Sequence, residues 1–232
     1  MAIRMIRGYR TIAGEAANLL AGLLPWDLEA TALQHVYEWR VEAQRRGETP
    51  LPREVEAWRE ELRRELRVVW SGRLSQPTAG HAAIAAVRPL FEEWLERRHG
   101  VLTYRMTQVL TGHGSFGRYL WLMGKEETPG CHHCEDRPED TVEHTVQDCP
   151  AWAEHRRVLR EAIGGDLSRP ALVSATLRSE MEWEAVASFR EAVMLVKEEA
   201  GRERERTASS PRPNRSGRRP RRRTSADDLR PP

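Results

Sequence analysis

The spacing of hydrophobic residues along the chain predicts a mainly α-helical protein. Apolar residues recur every three or four positions, as on one face of an α-helix, and nowhere do they alternate every second residue for long. The long helical stretches are residues 3–24, 26–46, 53–70, 82–99 and 180–202, and shorter segments lie within 101–124 and 150–165. Because some of these stretches contain breaks, we expect about seven or eight helices.

Proline and glycine residues mark the ends of the predicted helices. Pro25 ends the first helix, and Asp27 is placed to cap the N-terminus of the second. Residues 47–52 are rich in Gly and Pro and predict a loop. Pro89 must either kink the fourth stretch or open a second helix, and Gly100 is placed to end it.

Two helices indicate their buried faces most clearly. Residues 53–70 form the most regular pattern, with charged residues such as Glu60 and Arg64 on the opposite, solvated face. The expected core residues of this helix are Val55, Trp58, Leu62, Leu66 and Val69. Those of the last helix are Trp183, Val186, Phe189, Val193 and Val196. Eight tryptophans against three phenylalanines indicate a core built around a few large side chains.

Charge changes this picture at one end of the chain. The 232 residues carry a net charge of +2, but residues 201–232 contain eleven arginines and four acidic residues. This Arg- and Pro-rich tail therefore has a net charge of +7, and the other 200 residues have one of −5. The tail has almost no apolar residue to bury, so we expect it to be disordered. It can attract phosphates without sequence preference, or it can be only a solvated tail.

The composition argues against a membrane protein. Hydrophobic residues make up 39% of the chain and charged residues 31%, and no apolar run approaches the roughly 18–20 residues that span a bilayer. The first ten residues lack the apolar core and the cleavage site of a signal peptide, which indicates an intracellular, reducing compartment. The three cysteines are an odd number, which argues against a framework of disulfides.

All three cysteines lie within residues 131–149, with the spacing C-x2-C and then H-x4-C. The candidate metal ligands are Cys131, Cys134, His144 and Cys149. Three thiolates and one imidazole suit a tetrahedral Zn²⁺ and leave no open position, so the site would be structural. Buried free cysteines do not fit so polar a stretch, and a redox C-x-x-C pair normally accompanies a sheet. His132 and His133 should point away from the ion, and His113 has a less suitable position.

A second motif precedes the cysteines and reads LTGHG-x-F-x-x-YL. It comprises Leu110, Thr111, Gly112, His113, Gly114, Phe116, Tyr119 and Leu120, and it is followed by the four candidate ligands and Pro150. Together with the segment GYRTIAGEAANLLAGLLPWDL, these residues resemble the C-terminal region of polyproteins from non-LTR, LINE-like (type-1) retrotransposons. The resemblance is closest to the arthropod clade that inserts into ribosomal RNA genes, and it spans about residues 5–160.

The resemblance implies that the complete polyprotein is a reverse transcriptase with an endonuclease, and that this chain is a C-terminal fragment without a recognisable active site. The implied parts are a helical region following the reverse transcriptase thumb (1–127), a CCHC zinc element with its following helix (128–165), a C-terminal helix (166–200) and the disordered tail (201–232). The Asp-Asp pair of SADDLR lies in the tail without flanking apolar strands, so we interpret it as coincidence. The implied location is the nucleus, at the site of integration.

Two functions remain open for this region. In the family the zinc element is implicated in handling template RNA or target DNA, and a zinc-clamped loop can present basic and aromatic side chains to a single strand. The candidate contacts are Arg118, Tyr119, Trp121, Lys125, Arg156, Arg157 and Arg160. The loop between the ligands, EDRPEDTVE, is acidic, which instead favours a scaffold that docks on the rest of the polyprotein. A stand-alone zinc enzyme is a third hypothesis, but a closed ligand shell argues against it.

Overall fold

The computed structural model describes residues 1–207, which are mainly α-helical, as the sequence predicted. Within these residues the α-helices are α1 Ala2–Met5, α2 Gly14–Ala21, α3 Trp26–Arg45, α4 Pro52–Arg73, α5 His81–Val87, α6 Phe91–Glu96, α7 Tyr104–Thr111, α8 Gly117–Leu122, α9 Ala153–Ile163, α10 Arg169–Arg178 and α11 Glu180–Thr207. They contain no strand, and one isolated β-bridge pairs Gly130 with Glu139. Residues 208–232, which hold most of the predicted tail, lie outside the described residues.

The chain divides into two compact units, residues 1–98 and the part from residue 99 onwards. The sequence placed the corresponding boundary after residue 127, next to the cysteines. The structure instead groups α7 and α8 with the cysteine region, because Val109 of α7 and Phe116, which directly precedes α8, belong to the same buried cluster as the cysteines.

Tryptophans anchor the first unit, which contains α1 to α6. Trp94 is fully buried and donates a hydrogen bond from Nε1 to the carbonyl of Leu19 at 2.9 Å. Trp70 is also buried, and its Nε1 lies 3.2 Å from a carboxylate oxygen of Glu15. Helices α3 and α4 pack against each other as an antiparallel pair around Ala32, Val36 and Leu62.

The first unit departs from the sequence expectation in its first helix. The predicted helix over residues 3–24 is two helices, α1 and α2, because the backbone turns between them at Arg7, which has a φ of 52°. Gly8 lies in this turn, where a Cβ atom would come within 2.5 Å of Ile12 and 3.2 Å of Ile6, and both isoleucines are buried. The sequence predicted Asp27 as the N-cap of α3. The N-cap is instead Pro25, and Asp27 lies in the first turn of the helix.

Helix α4 also buries a different residue from the one predicted. Trp70 is 1% exposed, whereas Val69, which the pattern assigned to the core, is 49% exposed. The core face of the helix is therefore rotated by one residue at its C-terminal end. Trp58, which was also assigned to the core, is 37% exposed. Pro89 does interrupt the next stretch, because it lies in a short 3₁₀ turn, Arg88–Leu90, between α5 and α6.

The second unit is built around α11, which packs against α7, α9 and α10. The sequence pattern did not predict α10, although the start of this helix carries ordinary signals. Ser168 caps it by accepting a hydrogen bond from the amide of Ala171 at 3.4 Å, and Pro170 lies in its first turn. A single extended residue, Ser179, separates α10 from α11.

Helix α11 is longer than expected and carries charged residues on its core face. It continues to Thr207, so residues 201–207 are helical and do not belong to a disordered tail. Val196, which was predicted to be buried, is 43% exposed, and the adjacent Lys197 is 2% exposed instead. Arg190 is buried on the same face. A pattern that counts only apolar residues misplaces the buried face of α11, because this face includes Arg190 and Lys197.

Candidate metal centre

Four side chains of the second unit converge on one point. The ligand atoms of Cys131, Cys134, His144 and Cys149 all lie within 4.8 Å of one another. The Sγ atoms of Cys131 and Cys149 are 3.9 Å apart, and Sγ of Cys134 lies 3.5 Å from Nε2 of His144. These are the four residues that the sequence spacing selected as ligands.

Two of these separations have the values expected of a tetrahedral Zn²⁺ site. With Zn–S bonds of about 2.3 Å and a Zn–N bond of about 2.0–2.1 Å, two sulfur ligands lie about 3.8 Å apart and a sulfur and a nitrogen about 3.5 Å apart. The Cys131–Cys149 and Cys134–His144 separations agree with these values to about 0.1 Å. Three sulfurs and one imidazole also match the ligand preference of zinc, and four protein ligands complete its shell.

Short turns of the backbone bring the ligands together. The bridge between Gly130 and Glu139 closes the first loop, and within it the amide of Cys131 donates to the carbonyl of Pro138 at 2.7 Å. His144 opens a π-helical turn that ends at Asp148. The amide of Cys149 then donates to the carbonyl of His144 at 2.7 Å, so these two ligands face the same side.

The environment of the sulfurs sets their protonation. Burial raises the pKa of Cys149 to about 12, against the opposing effect of a hydrogen bond from the amide of Ala151. Burial likewise raises the pKa of Cys134, and the amide of Arg137 opposes it. The amide of His133 lies 3.4 Å from the sulfur of Cys131. Zinc bound by thiolates must therefore displace protons from buried sulfurs.

The cluster is part of the core of the second unit. Cys131 and Cys149 are both completely buried, and they belong to the same apolar cluster as Val146, Trp152 and Leu159. A metal ion held here would crosslink residues 131–149, the metal loop, whose cysteines pack in the same cluster as Leu159 of α9 and Val186 of α11. Such a site is suited to stabilising the fold, since four protein ligands complete the zinc shell.

The other histidines near the cluster have different contacts. The ring of His133 lies 5.0 Å from that of Trp152, and burial lowers the pKa of His133 to about 4. Nδ1 of His132 is 3.1 Å from Nη2 of Arg137. His113 stacks on Tyr119 at 4.9 Å, and burial followed by the charge of Arg169 lowers its pKa.

A buried polar network lies beside the cluster and was not foreseen from the sequence. Lys197 forms an ion pair with Asp140, with Nζ 2.6 Å from Oδ1 and 2.8 Å from Oδ2. Asp140 also accepts hydrogen bonds from the hydroxyl of Thr145 at 3.0 Å and from the amide of Gly117 at 2.8 Å. The network therefore links α8, the metal loop and α11. The only sequence signals for this network were the acidic residues of the loop and Lys197 on the predicted last helix.

The residues predicted to contact nucleic acid differ in their solvent exposure and in whether they already form ion pairs. Lys125 and Arg160 are exposed, and Tyr119 is partly buried against the core. Arg118 pairs with Glu139 in the metal loop. These side chains are thus distributed over α8, the turn that follows it, and α9.

The other two predicted arginines make contacts within the unit. Arg157 is exposed but pairs with Glu154 and Glu161 on the same helix. Arg156 is 5% exposed, and its Nη2 donates to the carbonyl of Cys149 at 2.8 Å. This burial does not fit the contact with nucleic acid predicted for Arg156, because its guanidinium is used to hold the metal loop.

The fold and the cluster define a mainly helical protein with a closed Cys₃His set of ligands. The chain is 32% identical over 162 residues to the retrovirus-related Pol polyprotein from type-1 retrotransposable element R1 of Bradysia coprophila, which covers 63% of this chain and 15% of that protein. It is 29% identical over 198 residues to the corresponding polyprotein of element R1 4 of Nasonia vitripennis, and 23% identical over 178 residues to that of element R1 3 of the same species. The chain is therefore distantly homologous to Pol polyproteins of type-1 R1 retrotransposable elements.

The chain spans about half the length of the two Nasonia polyproteins, 48% and 46%, and a smaller part of the Bradysia one. No protein-family model matches it, and no solved structure does. Among residues 1–207, no helix combines the length and the apolar composition that crossing a membrane requires.

Proposed function

We propose that this chain is the region of an R1-type Pol polyprotein that follows the reverse transcriptase, and that it binds template RNA or target DNA through a surface held by a structural Zn²⁺. The homology to Pol polyproteins supports the first part of the proposal. In this view reverse transcription and target cleavage belong to other parts of the polyprotein, and this region acts in the nucleus, at the site of integration. Its own contribution is binding.

The zinc ligands and α8 provide the observation that carries the proposal. The metal loop fixes the start of α8, because Asp140 accepts the amide of Gly117 through its carboxylate and the amide of Arg118 through its carbonyl. The other end of α8 presents Trp121, which is 46% exposed. The backbone then turns back at Gly124, with a φ of 69°, so that the amide of Lys125 reaches the carbonyl of Leu120 at 2.7 Å.

This arrangement suits a single-stranded ligand. An exposed indole offers a face on which an unpaired base can stack, and a lysine one turn away can contact the adjacent phosphate. Zinc, when bound by the four ligands, supplies a rigid crosslink of the loop. Asp140 transmits this rigidity to α8 and so fixes the direction in which Trp121 points. Glu126 and Glu127 follow Lys125 in the sequence, so Lys125 is the cation that this turn offers to a phosphate.

The test compares the affinities of Trp121→Ala and of Trp26→Ala for short single-stranded RNA and DNA by fluorescence anisotropy. Trp26 is a matched control, since it is 78% exposed and lies in the first unit. Loss of a stacked base costs about 1–3 kcal/mol, so Trp121→Ala should bind roughly 5- to 150-fold more weakly and Trp26→Ala as the parent does. Equal effects of the two substitutions, or none, would contradict the proposal.

Two further forms separate the α8 surface from the tail. Lys125→Gln should reduce both the affinity and its dependence on salt, because one phosphate contact is lost. A form that ends at residue 207 should keep binding that is sensitive to Trp121→Ala. If removing residues 208–232 abolishes all binding, the tail is the only contact and the proposed surface is wrong.

A specific observation favours a second function, that of a scaffold docking on the polymerase without touching nucleic acid. Arg118 and Arg157 are already paired with acidic side chains, and Arg156 is buried. Under this alternative the parent chain binds no oligonucleotide at moderate salt. It binds instead to the separately produced reverse transcriptase portion of an R1-type polyprotein, which analytical ultracentrifugation measures.

A further inference from the structure

Two arginines lie in the interior of the second unit. Arg190 is 1% exposed and occupies the core face of α11, where Val186 and Met194 are also fully buried. Arg169 is the first residue of α10, and its side chain is 12% exposed. Burial and the nearby charge of Arg169 lower the pKa of Arg190 to about 9, which leaves Arg190 positively charged at neutral pH. Arg169 is a cation paired with Glu143.

Few of their nitrogen atoms have hydrogen-bond acceptors. Nη2 of Arg169 lies 2.8 Å from Oε1 of Glu143, but its Nε and Nη1 have no partner in the part of the chain that the structure describes. The same holds for Nε, Nη1 and Nη2 of Arg190. Five buried guanidinium nitrogens of these two residues therefore lack an acceptor among residues 1–207.

Neighbouring carboxylates make other ion pairs. Glu143 offers one oxygen to Arg169 and is itself half exposed. Glu191, which follows Arg190 on α11, pairs with Arg105, and Asp140 pairs with Lys197. An unpaired charge in a protein interior is strongly unfavourable unless a group of opposite charge compensates it. Among the described residues of this unit, side-chain carboxylates compensate one of these two cations.

We propose that Arg169 and Arg190 hold a small inorganic anion between α10 and α11. Guanidinium groups donate several N–H bonds in a plane, and the start of α10 adds the positive end of a helix dipole. Because Arg190 is almost completely enclosed, the site selects a monatomic anion such as chloride over a larger one. The anion offsets the repulsion between the two cations and joins α10 to α11.

The test is thermal unfolding of the zinc-loaded chain in sodium chloride and in sodium gluconate at equal ionic strength. A ligand that binds only the folded state raises Tm as its concentration increases. Chloride should therefore raise the Tm of the parent chain and that of Arg160→Gln, an exposed arginine of α9 that serves as the control. It should not raise the Tm of Arg190→Met, which keeps the size of the side chain without its charge. The zinc content, measured in the same samples, should remain unchanged.

Indifference of the parent chain to chloride, or a response of Arg190→Met equal to that of the parent, would overturn the anion site and leave the metal centre untouched. Crystals of the parent chain grown with bromide give a direct check that needs no variant. An anomalous-scattering peak within hydrogen-bond distance of both guanidinium groups supports the site. The absence of a peak in that position overturns it even if Arg190→Met does not fold.

Discussion

The Nζ atom of Lys197 lies 2.6 Å from Oδ1 of Asp140 and 2.8 Å from Oδ2, and both side chains are almost completely buried. This pair joins the longest helix of the second unit to the loop that carries the cysteines. A buried pair can be neutral for stability as a whole, but each member depends on the other. It therefore provides specificity by fixing α11 at one position beside the metal loop.

Replacement of Lys197 by Met should lower the free energy of unfolding of the second unit by about 3–5 kcal/mol, because the carboxylate of Asp140 loses its counter-ion inside the protein. Urea unfolding of the zinc-loaded chain, followed by Trp fluorescence, measures this loss. Arg118→Gln is the control, since it breaks a partly exposed pair with Glu139 and should cost less than about 1 kcal/mol. Similar losses of unfolding free energy in Lys197→Met and Arg118→Gln would contradict the prediction that burial makes the Lys197–Asp140 pair more costly to break.

Binding of zinc should strengthen as the pH rises. The pKa of Cys149 is raised to about 12 and that of Cys134 is also raised, so without metal both thiols are protonated at neutral pH. Zinc binds the thiolates, and each proton that it displaces makes the apparent affinity increase with pH. Burial lowers the pKa of His144, which favours its neutral imidazole, so the thiols are the main source of this pH dependence.

Calorimetric titrations between about pH 6.5 and 8.5, in buffers of different ionisation enthalpy, count the released protons. We expect a stoichiometry of one zinc per chain, and Cys149→Ser should abolish tight binding, while His133→Gln, which changes a residue next to the ligands, should retain it. An affinity that does not change with pH, or a Cys149→Ser variant that still binds zinc tightly, would contradict the Cys₃His site.

Gly117→Ala should destabilise the second unit by about 1–3 kcal/mol through crowding. A Cβ atom at residue 117 would lie 2.8 Å from the carbonyl oxygen of Pro129 and 3.0 Å from that of Gly130, and backbone atoms cannot easily move away. The φ of Gly117 is outside the left-handed region, so conformational strain does not add to the effect. Gly165→Ala, where a Cβ atom meets nothing within 4 Å, should leave chemical denaturation unchanged.

The sequence predicted the helical class and selected the four side chains of the cluster, since both depend on local spacing. A tetrahedral zinc site needs particular residue types at short separations, and Cys131 to Cys149 provides these within one loop. Helices are likewise predicted from local sequence, because their apolar residues recur every three to four positions. The acidic loop looked unsuited to a core, yet one of its carboxylates, that of Asp140, is the buried partner of Lys197.

What sequence reasoning missed depends on contacts between distant residues. Asp140 and Lys197 are 57 positions apart, and each resembles an ordinary surface charge when it is viewed alone. The errors at Val69 and Val196 have a common form, because in each case the next residue, Trp70 or Lys197, faces the core. A one-residue rotation of a helix face is set by its packing partners, which the local pattern does not contain.

Arg156→Met distinguishes a residue that supports the metal loop from one that contacts nucleic acid. Nη2 of Arg156 donates to the carbonyl of Cys149 at 2.8 Å, and loss of such a bond to the backbone of a ligand typically weakens metal binding by about 10- to 100-fold. Competition with a chromogenic chelator measures this change. Arg160→Gln, which alters an exposed arginine one turn further along α9, should leave zinc affinity at the parent value.

The two variants should exchange their effects when nucleic acid is the ligand. At saturating zinc, Arg156→Met should bind single-stranded RNA as the parent does, because the buried guanidinium never meets the phosphates. Arg160→Gln should bind more weakly and with a smaller dependence on salt, because it removes one predicted phosphate contact. Weaker RNA binding by Arg156→Met at unchanged zinc content would instead mean that α9 rotates or opens when nucleic acid binds, and that the guanidinium leaves the carbonyl of Cys149.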